Sequence, residues 1–256
     1  MHRHYRFRKE QVTHFPSHAN TTFQKFIHAQ SIHSITTCKK FARQLTLHFS
    51  DNFFEEIYAL LPIDTHLTHT QTLIIYKNRL SLIDHSPLEC VHMLLKQIHF
   101  LNYLTYCKTI THFFPRNIYK IPVATKDYVL FPMEAPDNAQ STIWINPAQI
   151  TTISSTELDT LLTLSNKFCV QSPIQRRSLQ SSMARSFIIW GIIRQEFLFP
   201  EKQMDSTHLA DYLNVTMTPI TSKIFKKLAQ TDYAVKKWAF TKCYQEISQK
   251  EAFHHC

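Results

Sequence analysis

The sequence predicts an α+β protein, an antiparallel β-rich core followed by a C-terminal helical region. Two patterns carry this. Between residues 53 and 172, short runs dense in Ile, Val, Tyr, Phe, Trp and Thr are bounded by prolines and polar turns, the habit of strands that fit a pleated, half-buried surface. From residue 178 to 253 the apolar residues instead recur every three to four positions, the period of helices packed on one face. At 256 residues and 44% hydrophobic content the chain is long and apolar enough for a substantial core.

Charge divides the chain into three. Residues 1–48 hold eight Lys or Arg against one acid, residues 49–199 balance at twelve against twelve, and residues 200–256 hold eight against six, which together give the net +9. The expected organisation is a basic N-terminal arm over 1–48, a β-rich core ending in a helix over 49–199, and a helical region over 200–256. The arm is broken early by Pro16. Recurring apolar residues from Phe23 to Leu45 allow a helix within it. The arm reads equally as a mobile basic segment or as one that grips phosphate.

From Asn52 to Asp84 the runs FFEEIYALLP, TLIIY and LSLID read as three strands, the last two joined by Lys77-Asn78-Arg79. From Pro87 to Leu104 the period changes: Leu88, Val91, Leu94, Leu95, Ile98, Leu101 and Leu104 predict one amphipathic helix, with Pro87 and Glu89 as start signals. Ile118–Val123, Tyr128–Phe131 and Thr142–Ile145 then form a meander, with Pro115, Pro122, Pro132, Pro136 and Pro147 at or near the ends of its runs. Residues 157–171 predict a hairpin about Ser165-Asn166-Lys167, and Pro173 to Arg177 a turn. Ser178 or Ser181 is expected to cap a helix reaching Arg194. Two or three more helices are expected, at Ser206–Asn214, Pro219–Gln230 and Tyr233–Phe253. The short helix, the turn Asn-Val-Thr-Met-Thr-Pro and the lysine-rich helix after it read either as a helix-turn-helix or as a helical cap on the β core.

Several functions find no motif. The chain has no G-x-S-x-G, H-E-x-x-H, P-loop or G-x-G-x-x-G, and its single glycine leaves little for a phosphate-cradling loop. A non-enzyme is expected, with no catalytic residues and no cofactor. Sixteen histidines and six cysteines lack paired ligand spacing, so no metal is expected and the thiols should be reduced. No apolar run approaches the ~20 residues of a membrane span, and no signal core follows the basic start. A cytoplasmic protein is expected.

The runs carry a family resemblance over about residues 53–195. Ile57-Tyr-Ala-Leu-Leu-Pro62, Ile74-Ile75-Tyr76, Leu82-Ile83-Asp84 before Cys90, Ile121-Pro122-Val123, Tyr128-Val-Leu-Phe-Pro132, Trp144-Ile145 and the Ser-rich stretch 178–185 resemble, in order and spacing, the ComK-type competence transcription factors of Gram-positive bacteria. Where that family has glycines in a basic loop before the meander, Lys96 to Lys108 has none. The resemblance implies a DNA-binding activator of DNA-uptake genes acting at AT-rich promoter sites, working as a homo-oligomer. It also implies RNA polymerase and a protease adaptor as partners. The positions that match the family's basic core are Lys108, Arg116, Lys120, Arg176, Arg177 and Arg185. Independently, residues 73–130 hold seven basic residues against three acidic ones, interleaved with aromatics. The alternative is a non-enzymatic adaptor that uses the same basic surface to bind protein.

Overall fold

The structure is a computed structural model and describes residues 23–26, 35–48, 53, 55–64, 70–100, 102–114, 118–134, 142–155, 159–172, 174–197, 208–231 and 235–254. Helix α1 (Ile35–Ala42) and strand β1 (Leu47–His48) precede β2 (Ala59–Asp64), β3 (Thr70–Ile75) and β4 (Leu80–Ile83). Helices α2 (Pro87–Gln97) and α3 (Tyr103–His112) follow. Then come β5 (Val123–Ala124), β6 (Val129–Pro132), β7 (Trp144–Ile145), β8 (Ile150–Ser155), β9 (Thr160–Leu164) and β10 (Cys169–Ser172). The chain ends in α4 (Arg176–Phe197), α5 (Leu209–Leu213), α6 (Pro219–Leu228) and α7 (Ala239–His254). The α+β class and the order of its halves agree with the sequence.

One seven-stranded sheet runs in the order β1-β4-β3-β2-β7-β6-β5, and a second in the order β10-β9-β8. All pairs are antiparallel except β1 with β4. Of the runs named for the resemblance, the strand pieces lie in the large sheet, whereas the Ser-rich stretch 178–185 is in α4. Leu60 of β2 faces Ile74 of β3 on one flank and Trp144 of β7 on the other, and Pro132 of β6 also faces Trp144. Strand β3 is buried along nearly all its length, so its sequence is continuously apolar rather than alternating. Tyr128 and Tyr106, both fully buried, send their hydroxyls to the carbonyls of Phe53 (2.9 Å) and Pro122 (3.2 Å). Those bonds meet the cost of burying a phenol.

The single helix expected over 87–104 is two helices. Ser86 and Glu89 form a capping box that starts α2. The helix closes at Ile98, because His99 takes the left-handed conformation (φ 66°) and Phe100 N–H returns to Leu95 O at 3.0 Å. Asn102 then caps α3 by accepting from Leu104 and Thr105 N–H. The apolar period runs on across this break, which is why it misled; Leu104, its last member, is 67% exposed. Two other expectations shift. In the expected strand 118–123 only Val123 joins a ladder, and the expected turn at 173–177 ends two residues early, since Arg176 and Arg177 already lie in α4.

Part of the expected arm is folded onto the core. Phe23 and Phe26 are buried, Phe26 lies 4.9 Å from Phe41 and 6.0 Å from Phe168, and Cys38 and Ala42 of α1 are buried. Burial pushes the Cys38 thiol up to about 12. Residues 1–22 and 27–34, and with them most of the arm's expected behaviour, lie outside the described residues.

Helix α4 is the spine of the C-terminal half, packing on β5 and β6 and also on α5, α6 and α7. The Phe187 ring of α4 meets Phe225 of α6 at 4.6 Å. Glu196 of α4 accepts from the Thr241 hydroxyl of α7 at 2.6 Å. Helix α7 also lies along α3, where Asn102 N–H donates to the Tyr244 hydroxyl at 3.0 Å. No described helix is long and apolar enough to cross a membrane.

Candidate nucleic-acid interface

Of the six basic residues expected on a DNA face, Arg116 lies outside the described residues. The structure brings two of the others together. Lys120 stands just before β5, and its ammonium donates to Met133 O at 2.6 Å, at the end of the neighbouring β6. Arg185 sits on α4 above these strands and donates through Nη2 to Ser182 Oγ at 3.3 Å, while its Nε is buried without a partner. Burial pushes the Lys120 ammonium below its usual range; the charge of Glu134 opposes this and that of Arg185 adds to it. Burial also lowers Arg185. Two half-buried cations, one just before β5 and one on the helix that packs on β5 and β6, thus lie close enough for the charge of Arg185 to bear on Lys120, with exposed Glu134 as a partial counter-charge.

Arg176 and Arg177 are exposed in the first turn of α4, where there is no acid. Along that helix both lie within about 14 Å of Arg185 at 1.5 Å per residue, but at ~100° per residue Arg177 is about 80° round from Arg185 and Arg176 about 180°, on the Phe187 side. Lys108 is elsewhere: it projects from α3 and pairs with Glu251 of α7 at 2.5 Å. The set is thus a group on α4 and its sheet, plus one separate lysine already engaged by a carboxylate.

A second basic surface lies outside this set. Helix α5 ends at Asn214, whose left-handed backbone (φ 55°, ψ 43°) reverses the chain where a glycine is often used. After Val215, Thr216 and Met217, Thr218 caps α6 by accepting from Thr221 N–H, and Pro219 occupies the first turn. The cap fixes where α6 starts, and its apolar period fixes which way it faces. Ile220, Thr221, Ile224, Phe225 and Leu228 are buried, while Ser222, Lys223, Lys226 and Lys227 are exposed. No described carboxylate forms an ion pair with these lysines. The readable signal was the pairing of an amphipathic period with lysines confined to its polar side.

The two surfaces point different ways. Phe187 of α4 faces α6, and Arg185 lies about 200° round the same helix at ~100° per residue, so Arg185 faces away from α6.

Among the described residues no group of three or more His, Cys, Asp or Glu is placed to hold a metal ion. A recess of about 250 Å³ opens between the end of α2 and the β5–β6 turn; Phe53, Leu94, Tyr128 and Phe197 form much of its wall. Lys126 and Asp127 at its rim are 4.0 Å apart and exposed. No protein-family model, curated protein or solved structure matches this chain.

Proposed function

We propose that the chain is a DNA-binding transcription regulator of the kind its resemblance implies, gripping AT-rich duplex DNA and activating genes for DNA uptake. The observation that carries this reading is the convergence of Lys120 and Arg185, two cations from distant parts of the sequence, at one partly dehydrated place. Like charges drawn partly out of water are unfavourable together, and an anion between them removes the penalty. A backbone phosphate is such an anion, and its two unesterified oxygens suit a guanidinium edge and an ammonium. Arg177, about 80° round α4 from Arg185 at ~100° per residue, extends this cationic face along the helix for a neighbouring phosphate or for insertion into a narrow A-tract minor groove, whereas Arg176 lies on the opposite side of α4 from Arg185. Two half-sites on DNA require two copies, so this reading includes a homo-oligomer that binds cooperatively.

The test is a gel shift on AT-rich and GC-rich duplexes across a salt series, with wild type, Lys120→Ala and Arg177→Ala. A phosphate-facing lysine lost to alanine weakens binding to both duplexes alike and lowers the salt slope by about one. A groove-inserted arginine instead costs about 1–3 kcal/mol, more on the AT-rich duplex. Absent or salt-insensitive binding by wild type on both duplexes ends this reading and favours a protein-binding adaptor.

A further inference from the structure

We infer that α5 and α6 form a second DNA reader, with α6 lying in the major groove of a duplex and Ser222, Lys223 and Lys226 turned to base edges and phosphates. The inference rests on the reading of the chain as a DNA binder but uses a different surface, in residues beyond the family-like stretch.

Four observations carry it. The arrangement is a short helix, a five-residue turn and a ten-residue helix, the second helix braced from behind by a longer one, α4. At 1.5 Å per residue α6 is ~15 Å long and, with side chains, ~10–12 Å wide, which suits a major groove ~12 Å across. Its outward stripe, Ser222, Lys223, Lys226 and Lys227, is polar and basic with no acid anywhere in Pro219–Leu228. Finally, Met217 in the turn is 52% exposed beside the start of α6, where recognition helices meet bases, and a thymine methyl is the apolar feature of that groove.

A helix that merely caps a core has no need of one sign of charge. Helix α7 supplies the contrast within this molecule: Lys242, Glu246, Lys250 and Glu251 alternate in sign along it, the pattern of a solvated helix whose charges compensate one another. Helix α6 lacks that compensation. Its three lysines repel one another at the spacing of one turn, and a phosphate backbone relieves this.

The experiment uses the full chain and a 30-base-pair AT-rich duplex, alone, with methyl green occupying the major groove, and with netropsin occupying the minor groove. The variants are Lys223→Glu with Lys226→Glu, and Lys250→Glu on α7 as control. All three lysines are exposed, and an unchanged melting temperature confirms that the variants fold. The expected result is that the α6 double variant binds at least ~10-fold more weakly and loses about two from the salt slope, near 0.9 for each phosphate contact, while the control binds as wild type does. Methyl green should displace wild type and leave the residual binding of the double variant unaltered. Binding by the double variant within about twofold of wild type overturns the inference and leaves the Lys120–Arg185 reading standing. Failure of wild type to bind any duplex overturns both. Tighter binding of wild type to polyglutamate than to the duplex assigns α6 to an acidic protein partner instead.

Discussion

The two sides of α4 treat positive charge in opposite ways. On the sheet side, Lys120 donates to a main-chain carbonyl and Arg185 leans on Ser182, both half-withdrawn from water. On the far side, the lysines of α6 stand in solvent with no carboxylate paired to them among the described residues. A cation already bonded to its own protein holds one geometry and gains most from a ligand of matching shape. A solvated cation adapts to any phosphate and contributes chiefly through counterion release. On the proposed function the sheet side is therefore a fixed, shape-demanding contact and the α6 side an adaptable one that is steeper in salt, and a substitution on one side leaves the other unchanged.

The largest expected effect comes from removing the platform of α6. Phe225 is buried against Phe187, and Phe225→Ala should lower stability by about 3–5 kcal/mol through lost burial and the cavity left behind. Urea unfolding followed by circular dichroism measures this. One hydrophobic core runs through both sides of α4, with Phe240 of α7 against Phe100 and Tyr106, so a single cooperative transition at lower urea is expected. Two transitions would mean that the C-terminal helices are a separate folding unit.

Next in size is the turn. Asn214 holds a left-handed backbone, so Asn214→Ala should cost about 1–2 kcal/mol, whereas Asn214→Gly should be near neutral. Equal losses for the two substitutions would show that the side chain of Asn214, rather than its backbone, matters. Thr218→Ala removes the cap of α6 and should cost about 1 kcal/mol. Both should weaken binding at α6 in proportion to the fraying of its first turn, and leave the effect of Lys120→Ala unchanged.

The strand runs of the sequence were legible because each is a local statement: β-branched and aromatic residues between prolines, with Trp144, Phe131 and Ile74 buried as their composition implies. The helix start at Pro87 and the hairpin at Asn166–Lys167 were legible for the same reason. The break at His99 was not, because a residue that is seldom left-handed takes glycine's role there and the apolar period gives no sign of it. The candidate site was legible only in part. That Lys120 and Arg185 approach each other depends on how α4 crosses β5 and β6, a tertiary fact absent from either local sequence. That Lys108 is engaged depends on α7, more than 140 residues further along, lying beside α3. The basic stripe of α6, by contrast, was written in its own period, and what the sequence lacked was the brace behind it.

The smallest expected effect tests the one predicted residue that stands apart. Lys108 pairs with Glu251, which also accepts the Thr105 hydroxyl. The lysine side chain is 61% exposed, so water screens the pair and Glu251→Gln should cost only about 0.2–1 kcal/mol of stability. Glutamine keeps an acceptor for Thr105 and removes only the negative charge, so α3 and α7 remain together. The effect on DNA is the informative part. If Lys108 lies on a DNA face, freeing it adds one phosphate contact, and the salt slope should steepen by about 0.9. Lys108→Ala alone should then do little, because in the native chain Glu251 already occupies the ammonium. Measuring affinity across a salt series for Glu251→Gln, Lys108→Ala and the double variant closes a cycle whose coupling isolates this one contact. A slope unchanged by Glu251→Gln would remove Lys108 from the DNA face and confine the core's contact to α4 and the sheet beneath it.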